Sequence, residues 1–336
     1  MTNTSQFNPI PSLPYHMVWI STNACNARCI HCSTDALKAY KNEMSTDEAM
    51  NMFSEFASLG IFDIAISGGE PFVRKDIFII LEHIKSLGLK VGIGSNGSTI
   101  NEAILNRLKE VDIDRIQFSL DGLEATHDKV RNWEGLYKKT VTSIQSAISK
   151  QLNVHVCFTV HKYNYFDIDS VIELCMEWGV KRFNLSRIVP TGRGNISLDL
   201  PNELWKRITI DYETKRRTFC DHMEFTSHLS QEILVNSELD CYNSFIGCQA
   251  GIGQGCVDSR GEVYPCVLLP IEIGNVRDDS FENIWRNSEV NQKLKERNNL
   301  KGGCHNCELI SKCGGCRAVA YAQTGDYLGY DTRCWK

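Results

Sequence analysis

Cysteines are the residues of this 336-residue chain whose number and spacing most clearly point to chemistry. There are 15 of them, in three groups: a CxxxCxxC trio near the N-terminus, eight in the C-terminal region and four between. The groups are Cys25, Cys29 and Cys32; Cys248, Cys256, Cys266, Cys304, Cys307, Cys313, Cys316 and Cys334; and Cys157, Cys175, Cys220 and Cys241. A closed 4Fe-4S cluster takes four thiolates. The C-terminal group could therefore fill two clusters, whereas the trio would leave one iron without a protein ligand.

Zinc is the alternative metal for these cysteines. The pairs Cys304/Cys307 and Cys313/Cys316 have the spacing of a zinc ribbon. The spacing of the trio is uncommon for zinc, and His31, the one other nearby ligand type, adjoins Cys32 and is poorly placed to reach the same ion. The trio therefore favours an iron-sulfur cluster with an open iron, and an open metal position is typical of catalytic rather than structural sites.

Bulk composition indicates an ordinary globular protein. Hydrophobic residues make up 42% and charged residues 23%, and the formal net charge is -5 with no dense Lys/Arg block. We expect no nucleic-acid partner. Residues 1–14 lack the features of a secretory signal, and no apolar run reaches the length of a membrane span. We expect a cytoplasmic protein that has no membrane span and no membrane partner. Its cysteines should stay reduced and ligate metal.

Between Pro14 and Pro190 the pattern alternates β-rich runs with helical stretches, in repeats of about 30 residues. The predicted strands are 16–21, 63–67, 90–95, 115–120, 153–160 and 182–187. The predicted helices are 45–59, 75–87, 101–110, 136–150 and 167–178. Such repeats give a parallel sheet with right-handed crossovers, and six strands are too few for an eight-stranded barrel. The predicted fold class is α/β, a partial (β/α)6 barrel with a small cysteine-rich C-terminal domain.

The domain boundaries follow from these patterns. We predict an N-terminal segment over 1–14, the partial barrel over 15–200, a helical bridge over 201–240 and the cysteine-rich domain with two clusters over 241–336.

Four loops with unusual residues follow four successive predicted strands. They are the trio loop, Ser67-Gly68-Gly69-Glu70-Pro71, Ser95-Asn96-Gly97 and Ser119-Leu120-Asp121-Gly122. Ligands of parallel α/β sheets gather at the carboxyl ends of the strands. The sequence therefore predicts one binding rim built from these loops.

In the motif CNARCIHC and the glycine-rich run SGGEP, the chain resembles the radical S-adenosylmethionine (SAM) enzymes, over Tyr15 to about Gly194. The resemblance implies that the open iron chelates the methionine of SAM and that an electron from the cluster cleaves SAM to a 5'-deoxyadenosyl radical. It implies SAM contacts from the SGGEP, SNG and SLDG loops and from Arg131 as a carboxylate partner. Arg187 is expected to contact SAM or a substrate carboxylate, and His31 to pack on adenine or fill a polar niche. The implied cofactor-binding residues are His31, Ser67, Gly68, Gly69, Glu70, Ser95, Asn96, Ser119, Asp121, Arg131 and Arg187.

The C-terminal region resembles the SPASM extension of the same superfamily. The likeness implies an inner auxiliary cluster on Cys248, Cys256, Cys266 and Cys316 and an outer one on Cys304, Cys307, Cys313 and Cys334. The sequence departs from the commonest pattern at Cys313 to Cys316, where two residues intervene instead of three. Cys256 is the weakest of the eight ligands, and without it the inner cluster would have an open iron. The implied cofactors are three 4Fe-4S clusters and SAM.

The predicted function is that of an oxidoreductase or maturase that abstracts hydrogen from a C-H bond of a peptide or of a small molecule. The small-molecule alternative includes a tetrapyrrole, nucleoside or aminosugar; the run PTGRG and the tail GGCRAVAYAQTGD resemble SPASM enzymes of tetrapyrrole side-chain chemistry. Expected partners are a reductant such as flavodoxin or ferredoxin and, for a peptide, a separate recognition protein. Cys157, Cys220 and Cys241 are candidate hydrogen donors to a substrate radical. The alternatives from other classes are a non-catalytic iron-sulfur electron carrier and a zinc-binding protein.

Overall fold

A computed structural model describes residues 11–227, 233–235 and 247–336. In these ranges ten strands form one sheet, in the order β10-β9-β8-β1-β2-β3-β4-β5-β6-β7. The strands are β1 His16–Ile20, β2 Asp63–Ser67, β3 Lys90–Ser95, β4 Arg115–Ser119, β5 Val154–Val160, β6 Arg182–Arg187, β7 Glu224–Ser227, β8 Gln254–Val257, β9 Glu262–Tyr264 and β10 Gly274–Asn275. The first seven run parallel, each beside the next in chain order.

Ten α-helices lie in the described ranges, seven of them between the parallel strands and three after β10. They are α1 Thr46–Ser58, α2 Ile77–Ser86, α3 Glu102–Glu110, α4 Glu124–Arg131, α5 Leu136–Ser149, α6 Ile168–Trp178, α7 Asn202–Thr218, α8 Phe281–Asn287, α9 Glu289–Lys295 and α10 Arg317–Thr324. Local signals set several ends: Ser45 and Glu48 form the predicted capping box of α1, and Gly179 ends α6 in the left-handed conformation at φ +84°. No helix in the described ranges is long and apolar enough to cross a membrane.

The fold is α/β, a parallel partial barrel, and the two end strands β7 and β10 are not paired with each other. Along each parallel strand, alternate residues are fully buried against the helices, as Ile116 and Phe118 are in β4 and Val156 and Phe158 are in β5. The intervening residues face the other side of the sheet, and in β4 and β5 all of them except the buried His155 are partly accessible. This second face lines the interior of the half-barrel.

Two elements differ from the sequence prediction. The stretch 201–240 was predicted as a helical bridge, but α7 ends at Thr218 and Glu224–Ser227 forms a seventh parallel strand beside β6. The tertiary pairing of this short run with β6 outweighs its local preference. The helix α4 was not predicted, because Glu124–Arg131 is short and polar, and Val130 is its one buried aliphatic residue.

The cysteine-rich region also joins the barrel sheet. The strand β8 pairs in parallel with β1, with Cys256 opposite Val18. The main apolar core continues across this junction through Val257, Phe281 and Trp285. The barrel and the C-terminal region therefore share one sheet, and the main core extends into both. A second apolar cluster, which includes Leu269, Leu294 and Val319, lies mainly within the C-terminal region.

Candidate active site

The cysteine trio lies in the loop that follows β1. Cys29 is buried and Cys25 and Cys32 are partly accessible. Burial raises the pKa of the Cys25 thiol to about 11, so a thiolate at this position requires a cation or metal beside it. No three His, Cys, Asp or Glu side chains in the described part of the chain are gathered tightly enough to hold a metal ion directly. The residues around the cysteines therefore show whether this site can hold an iron-sulfur cluster.

The loop after β2 packs against the start of the trio loop at backbone distance. The Gly69 amide donates to Thr22 O at 2.8 Å, and the Glu70 amide donates to Ala24 O at 2.9 Å. A Cβ on Gly69 would lie 2.0 Å from Ala24 O and 2.9 Å from Cys25 Cβ. Only glycine fits here, because any side chain would push the two loops apart. The predicted SGGEP and trio loops are thus brought together.

Glu70 is fully buried and connects this loop to the one after β3. Its Oε1 accepts from Ser95 Oγ at 3.0 Å, and its Oε2 accepts from the Asn96 amide at 2.8 Å. Burial raises the pKa of Glu70 to about 7, although these two hydrogen bonds oppose the rise. Because its oxygens are engaged by the chain itself, the carboxyl positions Ser95 and Asn96 at the rim.

Asp121 is the centre of a buried charge cluster behind the trio. Its Oδ2 lies 2.5 Å from Arg131 Nη2 and 3.2 Å from His31 Nε2, and its Oδ1 accepts from the Thr159 amide at 2.8 Å. Burial disfavours the charged carboxylate, but Arg131 and His31 outweigh it and hold the pKa of Asp121 well below its usual range. In the same guanidinium, Nη1 lies 3.5 Å from Cys29 Sγ. Arg131 therefore joins Asp121 to a cysteine of the trio.

The contacts of four further predicted residues show where each of them lies. His31 and Arg131 are turned toward Asp121, so in this arrangement they connect the loops after β1 and β4. Ser119 opposes Cys157 in the register of β4 and β5, on the interior face of the half-barrel. The carbonyl of Ser67 accepts from both the amide and the hydroxyl of Ser21.

The PTGRG segment holds the trio loop from the other side. The Arg193 guanidinium donates to Cys29 O at 3.0 Å through Nε, and its Nη1 pairs with Asp35 at 2.7 Å. The Arg193 amide donates to Cys32 O at 2.9 Å. At Gly192, which has φ +59°, a Cβ would lie 2.5 Å from Cys32 O. The segment thus fixes the backbone of the trio loop.

Arg187 does not join this rim, contrary to the expectation that it contacts SAM or a substrate carboxylate. It follows Phe183 and Leu185 at the two-residue period of β6, so its side chain lies on the helix-packed face. Its Nε donates to Asp199 at 2.7 Å, and the guanidinium lies 5.4 Å from the centre of the Trp205 ring. Strand alternation carries this information, and the sequence pattern could have revealed it.

His161 is a rim residue that the sequence analysis missed. It directly follows β5, is fully buried, and its ring centre lies 5.5 Å from that of His31. Its Nδ1 accepts from the Tyr163 amide at 3.2 Å. The rule that placed the other loops, inspection of the residues just after each strand, would have found it.

The candidate hydrogen donors separate in space. Cys157 faces the half-barrel interior, and Asn184 Nδ2 lies 3.3 Å from its Sγ. Cys220 is exposed just after α7, near the start of β7 and thus at the edge opposite the rim, which argues against a role there. Cys241 lies outside the described residues. Cys175 is fully buried in α6, as predicted for a core residue.

The C-terminal cysteines form two groups. Cys266 has Cys256, Cys248 and Cys316 as electrostatic neighbours, and Cys334 has Cys304 and Cys307. A cavity of about 340 Å³ is lined by four of the eight cysteines. These four are Cys304, Cys307, Cys313 and Cys334, the predicted outer group. Four thiols around one cavity are a donor set that fits a cubane cluster.

The fold and the trio loop together define an α/β enzyme that positions an iron-sulfur cluster at the rim of a half-barrel. A radical SAM superfamily model matches residues 19–175, and SPASM, an iron-sulfur cluster-binding domain, matches residues 248–308. The AdoMet-dependent heme synthase of Methanosarcina barkeri is 34% identical over 96% of each chain. PqqA peptide cyclase of Rhizobium meliloti is 28% identical over 96% of this chain and 87% of the cyclase. The chain belongs to the radical SAM superfamily and carries a C-terminal SPASM domain.

Among solved structures, Streptococcus suis SuiB bound to S-adenosylmethionine matches with a TM-score of 0.82 at 18% identity. The match covers 97% of this chain and 78% of SuiB. At that identity the likeness concerns the fold, and it extends through both the barrel and the C-terminal region. The predictions of a radical SAM enzyme, of iron-sulfur clusters and of SAM binding are confirmed.

Proposed function

We propose that this enzyme modifies a side chain of a tetrapyrrole by abstracting hydrogen from one of its C-H bonds. The observation that carries the substrate class is the 34% identity with an AdoMet-dependent heme synthase, which extends over 96% of both chains. This likeness spans both the barrel and the C-terminal region. Over the same share of this chain, 96%, the identity with a peptide cyclase is lower, at 28%. The tetrapyrrole alternative of the sequence analysis is therefore favoured over the peptide, nucleoside and aminosugar alternatives.

The chain's own residues suit the proposed division of labour. The trio would hold a 4Fe-4S cluster with one iron open to SAM, and together these groups supply a 5'-deoxyadenosyl radical when bound. The loops after β2 and β3 offer backbone groups fixed by Glu70 to the methionine end of SAM. Asp121 and Arg131 hold the loops after β1 and β4 and place positive charge beside Cys29.

The half-barrel interior would receive the substrate side chain. Ser119, Cys157 and Asn184 lie at one level across three adjacent strands, and they make this wall polar and small. Such residues can orient a polar side chain. If the substrate radical is quenched by a hydrogen atom, Cys157 would be the donor, and an electron from the auxiliary clusters with a proton would restore its thiol. Two closed auxiliary clusters on the inner and outer cysteine groups would exchange electrons with the reaction, with flavodoxin or ferredoxin as the external reductant.

Hydrogen transfer tests this proposal. Anaerobically reconstituted enzyme should hold about twelve iron per chain, four for each cubane, and cleave SAM to 5'-deoxyadenosine under reduction. With an iron tetrapyrrole deuterated on its side chains, deuterium should appear in 5'-deoxyadenosine. The C25A/C29A/C32A variant should lose cleavage while it keeps about eight iron.

The hypothesis of a peptide substrate makes the opposite prediction. Deuterium transfer from a precursor peptide, with none from any tetrapyrrole, would replace the proposed substrate class. A preparation that binds zinc, or that fails to cleave SAM after full reconstitution, would contradict the cofactor assignment.

A further inference from the structure

Arg317, the first residue of α10, holds a buried positive charge beside the outer cysteine group. Its side chain is 1% exposed. Its Nη1 donates to Gly329 O at 2.8 Å and to Tyr327 O at 3.2 Å, and its Nε donates to Gly315 O at 3.4 Å. Its Nη2 lies 3.9 Å from Cys304 Sγ. In the described ranges this guanidinium forms no ion pair with a carboxylate.

A buried guanidinium without a carboxylate is costly, because carbonyl dipoles replace only part of its hydration. Arg131 illustrates the difference. It makes the same kind of contact, 3.5 Å from Nη1 to Cys29 Sγ, but its charge is balanced by Asp121 at 2.5 Å.

At Arg317 the nearest group that can carry negative charge and that its Nη2 faces is Cys304, one of the cysteines around the cavity. The buried Asp331 also lines this cavity, but its carboxylate is engaged by Arg333 and by the Cys316 amide.

Gly315 shows that this approach is built into the backbone. The residue lies between Cys313 and Cys316 at φ +59°, and it lines the cavity together with Cys304. A Cβ on Gly315 would lie 2.6 Å from Arg317 Nη2 and 3.5 Å from Cys304 Sγ. The absence of a side chain lets the guanidinium reach the sulfur.

We propose that Arg317 is the counter-cation of the outer auxiliary cluster and raises the reduction potential of that cluster. A cluster ligated by four thiolates is anionic, and reduction adds a further negative charge that an unbalanced guanidinium stabilises. The arginine beside the trio is already balanced by Asp121, so it offers less of this stabilisation. This inference rests on the outer cluster assigned in the proposed function.

The test is a redox titration of full-length, anaerobically reconstituted enzyme followed by EPR. R317M removes the charge with similar length, R317K keeps the charge without the planar fork, and R286Q, at an exposed ion pair, is the matched surface control. In R317M the outer-cluster midpoint should move to more negative values, while R317K and R286Q stay near wild type. The SAM-binding cluster, recognised by the change of its signal on SAM addition, is the internal reference and should not move.

Each result decides the inference. An unchanged outer-cluster potential in R317M, or an equal shift in R317K, overturns it. If R317M loses about four iron while R317K keeps them, the charge is needed for the cluster to assemble, and the inference holds. If both variants lose them, the hydrogen bonds to Gly329 and Tyr327 rather than the charge hold the site, and the inference is refuted. Wild type with no C-terminal iron also refutes it, whereas deuterium transfer to 5'-deoxyadenosine tests the substrate proposal separately.

Discussion

Asp121→Asn is the most informative perturbation of the rim, because it removes a charge and almost no volume. The carboxylate is fully buried and lies 2.5 Å from Arg131 Nη2, whose side chain is 10% exposed. Asparagine could keep the hydrogen bond from the Thr159 amide, but the Arg131 guanidinium would remain buried without its counter-charge. Breaking a buried ion pair from one side costs about 3–5 kcal/mol. That is a large share of a typical total of about 5–15 kcal/mol.

The matched control lies on the trio loop. Asp35 pairs with Arg193 at 2.7 Å, but its side chain is 68% exposed. Exposed pairs contribute about 0–1 kcal/mol, so Asp35→Asn should leave the unfolding midpoint almost unchanged. Urea denaturation of the metal-free protein measures both variants, with equal m-values as the sign that the unfolded states are comparable.

A double variant separates the charge from the shape of the site. D121N/R131M has neither charge, and removal of both partners of a buried pair is far less costly than removal of one. It should therefore recover part of the stability lost in D121N. The reasoning fails if D121N costs no more than D35N, or if the double variant is less stable than D121N by the full cost of a second buried group.

Two further predictions follow from the rim. Gly69→Ala places a Cβ 2.0 Å from Ala24 O and should abolish SAM cleavage and lower the iron content. In the control Gly94→Ala the Cβ would meet nothing closer than 3.7 Å, so SAM cleavage and iron content should stay at the wild-type level. Equal iron content in the two variants would contradict the loop contact. The Nδ1 atom of His127 accepts a hydrogen bond from the Asp121 amide. Burial, aided by Arg131, lowers the pKa of His127 from 6.5 to about 4. Between these two pH values the unfolded state therefore binds more protons than the folded state. As the pH falls from about 6.5 to about 4, wild type should lose stability relative to His127→Asn. A difference in urea midpoint between the two proteins that stays constant with pH would refute this.

Local pattern was sufficient for the elements that position the site. The strands β2, β3 and β6 begin and end where the sequence predicted, because β-rich runs there stop at glycine, asparagine or proline loops. Since parallel strands present their carboxyl ends at one edge, the loops after β1 to β4 could be placed together without coordinates. The sequence did not reveal the non-local strand pairs. No local feature indicates that Glu224–Ser227 pairs with β6 or that Gln254–Val257 pairs with β1.

The side-chain roles at the rim depended on contacts between loops. Arg193 and Cys29 are far apart in sequence, yet the guanidinium donates to the Cys29 carbonyl at 3.0 Å. Arg187 shows the reverse case, since its position in β6, two residues after Leu185, was enough to place it on the helix-packed face. Residue type suggested a ligand contact at Arg187, whereas strand alternation would have given the correct face.

The two buried carboxyls of the rim explain why motif residues need not be ligands. Glu70 joins the loops after β2 and β3, and Asp121 joins the loops after β1 and β4 to strand β5 itself. The hydrogen bonds and ion pairs at both carboxyls come from the chain itself, so a cosubstrate would have to displace buried partners to reach them. We therefore expect SAM to contact mainly the backbone that these acids hold in place. It follows that Glu70→Gln should weaken SAM binding less than Gly69→Ala does, because the amide can still accept from Ser95 or Asn96.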